Sequence, residues 1–154
     1  MIDPKIVQEE LEEEEGVKYY AYLDTVKILT VGIGHNLIAN PSKPIIGRAI
    51  TVVGQKVTEK EVEQLFNYDL QNVMKDLDKH LVWWRELDDV RQYVLISLCF
   101  NLGIHGLLKF KNTLHFYKLG MYSQAADNLK QSKWYKQVKT RGVKLIRLLK
   151  TGSF

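Results

Sequence analysis

Apolar residues recur at intervals of three and four over most of this 154-residue chain, which is the spacing of one face of an α-helix. The longest such stretch follows a capping box formed by Thr58 and Glu61, and it predicts a helix that runs to about Lys79. At about 1.5 Å per residue this helix spans about 30 Å, which is long enough to join two lobes. A second stretch, capped by Asp88 and ended by Gly103, is apolar nearly all round and predicts a buried central helix.

Shorter helical patterns lie towards both ends of the chain. Asp3 can cap free N–H groups and Pro4 suits the first helical position, so a first helix is predicted from Pro4 to a stop at Gly16. Glycines and prolines separate the remaining patterns. These patterns predict short helices at residues 45–50, 104–108, 113–119, 123–131 and 138–150.

The pattern becomes typical of strands after the first helix. Aromatic and β-branched residues at 17–22 and again at 28–31 favour a pleated surface. The residues from Asp24 to Lys27 predict a hairpin turn in which the Asp24 side chain accepts backbone hydrogen bonds. These patterns predict an α+β, mostly helical fold with a small antiparallel β-sheet, in which the long helix could connect two lobes.

The length predicts one domain over residues 1–154, or two small lobes, and a hydrophobic content of 45% is enough for a core. We expect the β-containing lobe at about 16–58 and the helical lobe at 59–154 together with 1–15. The single cysteine, Cys99, excludes an internal disulfide and lies in an apolar run, so we expect it to be a small buried side chain.

Charge is divided unevenly along the chain. Residues 1–100 hold 11 Lys or Arg and 17 Asp or Glu, whereas residues 101–154 hold 11 Lys or Arg and one acid, Asp127. A basic C-terminal third suggests an anionic partner such as nucleic acid, anionic lipid or bacterial cell wall, although lysines that only solvate helices explain it equally well. Since there is no apolar signal core and no run of about 20 apolar residues, we expect a cytoplasmic origin without an export signal and no membrane span.

Two carboxylates, Glu15 and Asp24, lie nine residues apart on either side of the first predicted strand. Paired acids can hydrolyse a glycosidic bond, because a protonated acid donates to the leaving oxygen while an ionised one activates water or attacks directly. Two acids on a small sheet, taken alone, are more often solvated surface charges. The four histidines of the chain lack the spacing of metal ligands, so no metal site is predicted.

The residues around these two acids resemble a known family. A Glu-Gly pair is followed by Asp nine residues after the Glu, by Thr six residues after the Asp, and then by Gly-x-Gly-His. The positions are Glu15, Gly16, Asp24, Thr30, Gly32, Gly34 and His35. This pattern resembles the phage-type lysozymes of glycoside hydrolase family 24, and the segments LDDVRQYVLISLCFNLG, GLLKFKNTL and AADNLKQSKWY resemble the same family in the same order.

The resemblance implies a lysozyme-like fold, in which the long helix joins a small antiparallel β-sheet lobe to an all-helical lobe. It also implies a catalytic role for three side chains. Glu15 resembles the general acid, Asp24 the carboxylate that acts on the far face of the sugar ring, and Thr30 the hydroxyl that helps to hold the attacking water. The family also implies room for that water between the acids, and hence inversion at the sugar carbon.

The resemblance extends to substrate-binding and supporting positions. The positions that match substrate contacts are Asn36, Phe100, Asn101, Thr113 and Asn128. His35 and Asp69 match a structural ion pair, and Arg141 matches an arginine that pairs with the catalytic Glu. Lys27 departs from the family, which usually has Gly there: if that position needs a positive φ, Lys costs about 1 kcal/mol and the turn could be reshaped.

The function implied is that of an endolysin-like muramidase, which hydrolyses the β-1,4 bond between N-acetylmuramic acid and N-acetylglucosamine in bacterial peptidoglycan. It would be a monomer that needs no metal or organic cofactor and reaches the wall after release. One alternative is a lysozyme-like protein that binds wall glycan without cutting it, which only Lys27 favours. Another is a helical nucleic-acid module at residues 101–154, but aromatic interleaving is sparse and no recognition motif occurs, so no nucleic-acid partner is expected.

Overall fold

The computed structural model describes every residue from Met1 to Phe154. Eight α-helices and one three-stranded sheet make up the chain, and 62% of the residues are helical, which confirms the α+β fold expected from the sequence. In chain order the elements are α1 (Pro4–Glu15), β1 (Lys18–Leu23), β2 (Leu29–Gly32), β3 (His35–Asn36), α2 (Lys43–Ile46), α3 (Glu59–His80), a 3₁₀ turn (Trp84–Glu86), α4 (Asp89–Leu108), α5 (Lys111–Lys118), α6 (Tyr122–Lys130), α7 (Lys133–Val138) and α8 (Thr140–Thr151).

Two compact units divide these elements. The sheet unit, Pro4–Asn72, contains α1, the sheet, α2 and the first part of α3. The helical unit, Met1–Asp3 with Val73–Phe154, contains the remaining helices. The division into lobes at residues 58 and 59 stays a prediction.

The sheet is antiparallel with the strand order β1-β2-β3. Tyr22 on β1 pairs with Thr30 on β2, and Thr30 pairs in turn with Asn36 on β3. Directly paired residues project from the same face of an antiparallel sheet. These three side chains therefore form one polar row across all three strands.

The opposite face of the sheet packs into the core of its unit. Ala21, Val31 and His35, which alternate with the polar row, are between 0% and 1% exposed. At the end of β2, a Cβ on Gly32 would lie 3.3 Å from Cγ1 of Val62 on α3. The absence of a side chain at Gly32 thus lets the strand approach the helix closely.

The predicted hairpin turn joins β1 to β2. The Asp24 N–H donates to the Ile28 carbonyl at 3.0 Å, and the Lys27 N–H donates to the Asp24 carbonyl at 3.0 Å. Lys27 adopts the left-handed conformation with φ +64°. The position does require a positive φ, and the turn closes with a lysine in it.

The long helix α3 begins at the predicted capping box. The Thr58 N–H donates to Glu61 Oε1 at 2.9 Å, and the Glu61 N–H donates to Thr58 Oγ1 at 3.1 Å. The helix extends to His80, one residue beyond the end estimated from the sequence. The capping box therefore determines where this helix starts.

The short helix α2 lies earlier than predicted, at Lys43–Ile46 instead of residues 45–50. Pro44 occupies the first turn, where its missing N–H has no helical partner, and Gly47 ends the helix with φ +80°. The prediction used the prolines as breaks and did not use Pro44 as a helix start.

The central helix α4 carries most of the apolar core of the helical unit. Asp88 caps it by accepting a hydrogen bond from the Arg91 N–H at 3.3 Å. Nearly every residue from 90 to 99 is buried, which confirms the buried helix expected from its apolar composition. Gly103 has φ +71° and ψ +163°, so the helical path breaks there and the segment to Leu108 continues in a new direction.

The C-terminal helices include one that the sequence pattern missed. Residues 113–119 and 123–131 were predicted as helices and correspond to α5 and α6, each displaced by one or two residues. The helix predicted at 138–150 corresponds to α8, and the missed helix is α7, which lies just before it. Ser132 caps α7 by accepting from the Tyr135 N–H at 3.1 Å, and Lys139 separates the two helices with φ +49°.

No single helix is long and apolar enough to cross a membrane. The pair Asp89–Leu108 and Lys111–Lys118 reaches the required length and apolarity only when both are counted together, with a bend of 107° between them.

Candidate active site

The candidate general acid, Glu15, is the last residue of α1. Gly16 follows with φ +74°, and its N–H donates to the Glu12 carbonyl at 2.8 Å, so the helix ends because glycine accepts the left-handed conformation. Glu15 itself is half-buried.

Gly34 provides the surface against which the Glu15 carboxyl group lies. A Cβ on Gly34 would lie 3.2 Å from Glu15 Oε2 and 3.4 Å from its Cδ. Gly34 also has φ +63°, a conformation that favours glycine. Two separate constraints therefore require glycine beside this carboxyl group.

The second acid, Asp24, is fixed by the hairpin turn. Its Oδ1 accepts hydrogen bonds from the Val26 N–H at 2.9 Å and the Ile28 N–H at 2.8 Å. Both hydrogen bonds use Oδ1 and fix the orientation of the carboxylate. The other oxygen, Oδ2, remains available to a ligand.

Thr30 lies in the polar row of the sheet and is 5% exposed. Its hydroxyl donates to the Ile28 carbonyl at 2.8 Å. Because the proton of the hydroxyl is committed to that carbonyl, the Thr30 oxygen is oriented to accept a hydrogen bond from a further donor such as water.

Tyr22 lies among these groups, and the sequence analysis did not select it. It is the cross-strand partner of Thr30 and lies two residues before Asp24, so the three side chains share one face of the hairpin. Burial raises the pKa of the Tyr22 phenol, and the negative charges of Glu15 and Asp24 raise it further. Strand alternation around Asp24 was the signal that could have identified it.

The predicted supporting pair lies in the core of the sheet unit. His35 is 1% exposed, and its Nδ1 is 2.7 Å from Asp69 Oδ2. Its Nε2 is 2.8 Å from the Asn40 carbonyl. Each ring nitrogen of His35 therefore faces an oxygen atom. The pair fastens the start of β3 to α3.

Asn36 is the one predicted substrate contact that belongs to the sheet unit. Its Oδ1 accepts from the Ile38 and Ala39 N–H groups, each at 2.9 Å. These bonds fix the plane of the amide, whose Nδ2 remains a donor at the end of the polar row.

The remaining predicted contacts belong to the helical unit, where some of them bond to one another. The Thr113 hydroxyl donates to Asn128 Oδ1 at 2.6 Å, so these two residues form one polar group. Asn101 is exposed, and its Oδ1 accepts from Trp134 Nε1 at 2.9 Å. Phe100, beside it on α4, is half-buried.

Arg141, near the start of α8, donates from Nη2 to the Ser97 carbonyl at 3.2 Å and to Ser97 Oγ at 3.1 Å. These bonds tie α8 to α4 within the helical unit. The pairing of Arg141 with Glu15 stays a prediction. No group of three or more His, Cys, Asp or Glu side chains is arranged to hold a metal ion.

Comparison with known protein families assigns the chain to one of them. A profile of the phage lysozyme family matches residues 12–150, which is most of the chain. This chain belongs to the phage lysozyme family. Membership of this family supports a lysozyme-type glycoside hydrolase acting on peptidoglycan.

Curated relatives give the same assignment at low identity. The chain is 27% identical to the probable T4-type lysozyme 1 of Dictyostelium discoideum, with 96% of this chain and 95% of the relative covered. It is 27% identical to the probable T4-type lysozyme 2 of the same organism, with 93% and 92% covered. It is also 28% identical to the pre-baseplate central spike protein of Enterobacteria phage T4, over 94% of this chain but only 28% of that longer protein.

Proposed function

We propose that this chain is an endolysin-like muramidase, which hydrolyses the β-1,4 bond between N-acetylmuramic acid and N-acetylglucosamine in bacterial peptidoglycan. One observation carries the proposal: the sheet unit holds two carboxyl groups, that of Glu15 against Gly34 and that of Asp24 fixed by the hairpin turn, and the next strand of the hairpin carries the Thr30 hydroxyl. A pair of acids with a nearby hydroxyl is the equipment that hydrolysis of a glycosidic bond requires. The family and the T4-type lysozyme relatives support the same reaction class.

The roles follow from the hydrogen bonds of each group. Glu15 in its protonated form donates its proton to the glycosidic oxygen as the bond to the anomeric carbon breaks. Asp24, ionised and fixed through Oδ1, accepts a proton from water at Oδ2 while the water oxygen attacks the anomeric carbon. Thr30 accepts a hydrogen bond from that water because its own proton is committed to the Ile28 carbonyl.

A water held on the far side of the sugar gives a product with inverted configuration. Proton NMR of the first reducing ends released from purified glycan strands should therefore show the α-anomer before mutarotation. If the β-anomer appeared first, the configuration would be retained. The reaction would then proceed through a covalent glycosyl-enzyme intermediate and not by direct attack of water.

The catalytic test is Glu15→Gln, which keeps the shape of the side chain and removes its proton donor. We expect the rate of reducing-end release from purified peptidoglycan to fall by about 10²- to 10⁴-fold, the range for loss of a general acid. Loss of turbidity of outer-membrane-permeabilised bacteria should fall in parallel. The matched control is Glu13→Gln, an exposed acid of the same helix, which should keep the wild-type rate.

The same assay separates the muramidase from the glycan-binding alternative. Wild-type protein that binds purified peptidoglycan and releases no reducing ends would be a binding protein. A Glu15→Gln variant with the wild-type rate would remove Glu15 from the reaction.

The proposed partner is bacterial peptidoglycan, and the basic residues 101–154 would attract its anionic groups. Because salt screens such attraction beyond a Debye length of about 8 Å at 0.15 M, activity on whole walls should fall as salt is raised further. We also propose that the chain is made in a cytoplasm and acts as a monomer after release. Fractionation of expressing cells and sedimentation of the purified chain check these two points.

A further inference from the structure

The hydroxyl of Tyr22 is a polar group in the candidate active site to which no role has been given. Tyr22 is half-buried, and the interactions on its phenol come from burial and from nearby charges, with no hydrogen bond to another group of the chain. A half-buried hydroxyl with no partner in the protein remains available to a ligand.

The surroundings of this hydroxyl are the groups proposed to carry the reaction. Tyr22 pairs across the strands with Thr30, lies two residues from Asp24 on the same face, and is within electrostatic reach of Glu15. All four residues belong to the sheet unit. A glycan that meets the two acids therefore comes within reach of this hydroxyl.

The ring of Tyr22 is held in position from the same strand. The Lys18 ammonium lies 4.1 Å from the centre of the ring, and the Tyr20 ring meets it edge-on with the centroids 6.5 Å apart. A cation over an aromatic face and an edge-to-face ring pair both favour one orientation of the side chain.

The electrostatic surroundings determine what the hydroxyl can do. Burial, followed by the charges of Glu15 and Asp24, raises the pKa of Tyr22, so the phenol stays protonated at neutral pH. A protonated phenol is a hydrogen-bond donor. The two flanking carboxylates in their ionised forms are acceptors, so Tyr22 supplies a donor that they cannot.

We propose that Tyr22 is a substrate-binding residue, which donates its hydroxyl proton to an oxygen of the sugar held between Glu15 and Asp24, with Lys18 keeping the ring in place. This inference rests on the proposed muramidase function and adds a residue to its site. The acceptor belongs to the glycan itself, as an N-acetyl carbonyl or a sugar hydroxyl.

The direct test is Tyr22→Phe, which removes one oxygen atom and keeps the ring. Loss of a neutral hydrogen bond to substrate should lower kcat/KM on purified glycan strands by about 3- to 10-fold. The matched control is Tyr19→Phe, which removes a hydroxyl from the opposite face of the same strand, where the side chain is 46% exposed. Both variants should unfold at the wild-type temperature, since neither loses a hydrogen bond within the chain.

A binding measurement separates substrate contact from a structural effect. In a Glu15→Gln background, calorimetric titration with a soluble tetrasaccharide of N-acetylglucosamine and N-acetylmuramic acid should show about 3- to 10-fold weaker binding when Tyr22→Phe is added. Adding Tyr19→Phe should leave the binding unchanged.

Lys18→Met gives a second measurement on the same group. Loss of the cation frees the ring, so kcat/KM should fall by a smaller factor than in Tyr22→Phe. The double variant should lose little more than Tyr22→Phe alone, because the contact that Lys18 supports is already absent.

Each outcome decides one point. Wild-type kcat/KM and wild-type tetrasaccharide binding in Tyr22→Phe, with Glu15→Gln inactive, would overturn the role of Tyr22 and leave the muramidase proposal standing. An active Glu15→Gln variant would instead remove the proposed reaction itself. Equal losses in Tyr22→Phe and Tyr19→Phe would also overturn the inference, because a loss shared by both faces is not a substrate contact.

Discussion

The sheet unit and the helical unit are held in place by different interactions. In the sheet unit, backbone hydrogen bonds and glycines with positive φ direct a few polar side chains, as Gly34 does for the Glu15 carboxyl and the hairpin turn does for Asp24. In the helical unit, the helix α4 is buried at nearly every residue from 90 to 99 and is surrounded there by apolar side chains of its neighbours. Hydrogen bonds are short-ranged and depend on direction. The free energy gained by burying apolar side chains is proportional to the buried area and does not depend on direction.

This difference predicts that substitutions in the two units change different properties of the protein. Changes in the hairpin should alter activity more than stability, because few apolar atoms are lost there. Changes in the α4 core should alter stability most, because cavities in a packed interior are not refilled.

The largest effect is expected at Asp24. Asp24→Asn keeps an Oδ1 acceptor for the Val26 and Ile28 N–H groups and removes the charge, so the turn should persist while reducing-end release falls by about 10²- to 10⁴-fold. Asp24→Ala, which loses the acceptor as well, should in addition lower the thermal midpoint. An active Asp24→Asn variant would show that the hairpin does not supply a catalytic charge.

The largest loss of stability is expected in the helical unit. Leu148 is 0% exposed, so Leu148→Ala should lower the free energy of unfolding by about 2–5 kcal/mol through lost burial and a cavity. Urea titration followed by circular dichroism measures this change. Residual activity per folded molecule should stay close to wild type at low temperature. A Leu148→Ala variant that stays folded but loses activity would contradict the prediction that core substitutions in the helical unit affect stability alone.

A smaller loss of stability with a specific loss of activity is expected at Gly34. Gly34→Ala forces a positive φ on a residue with a Cβ and brings that Cβ to 3.2 Å from Glu15 Oε2. The strain should cost about 1–2 kcal/mol, and displacement of the carboxyl should lower kcat by about 10- to 100-fold. Gly47→Ala is the matched control, because Gly47 has φ +80° and nothing within 4 Å of its added Cβ. The Gly47→Ala variant should lose similar stability and keep its activity. An equal loss of activity in both variants would show that the contact between position 34 and the Glu15 carboxyl is not what lowers kcat.

A small gain of stability is expected at Lys27, which adopts φ +64° in the hairpin turn. Lys27→Gly should raise the free energy of unfolding by about 0.5–1 kcal/mol, since the left-handed conformation disfavours a residue with a Cβ. Lys27→Ala retains that penalty and should show no such gain. Thermal denaturation of the three proteins at one pH makes the comparison.

The smallest effect concerns acid stability within the sheet unit. The hydrogen bond from Arg48 lowers the pKa of Glu61 to about 2, so the ionised form is favoured in the folded state. This contribution is fully present above the unfolded pKa of about 4.3 and is lost as the pH falls towards 2. Because the pair is partly exposed and screened by solvent, its contribution to stability should be small. The difference in thermal midpoint between wild type and Glu61→Gln should therefore shrink between pH 5 and pH 2; a constant difference would contradict it.

Interactions between residues close in the chain were predictable from the sequence. The caps at Thr58 and Asp88, the stop at Gly16 and the bonds from the turn to Asp24 each involve neighbours within four residues. Helix α7 was missed although Ser132 carries the signal of a cap, because residues 133–137 were assigned to no helix. The paired acids were found by their spacing and by family resemblance.

The sequence by itself determined the α+β class, the main helix boundaries and the hairpin, because local backbone conformation and capping depend on near neighbours. Only the tertiary structure decided that Gly34 lies beneath the Glu15 carboxyl, that Tyr22 stands beside Thr30 and near both acids, and that Lys139 adopts φ +49°. The physical reason is that strand register and packing bring together residues whose separation along the chain carries no information about their distance in space.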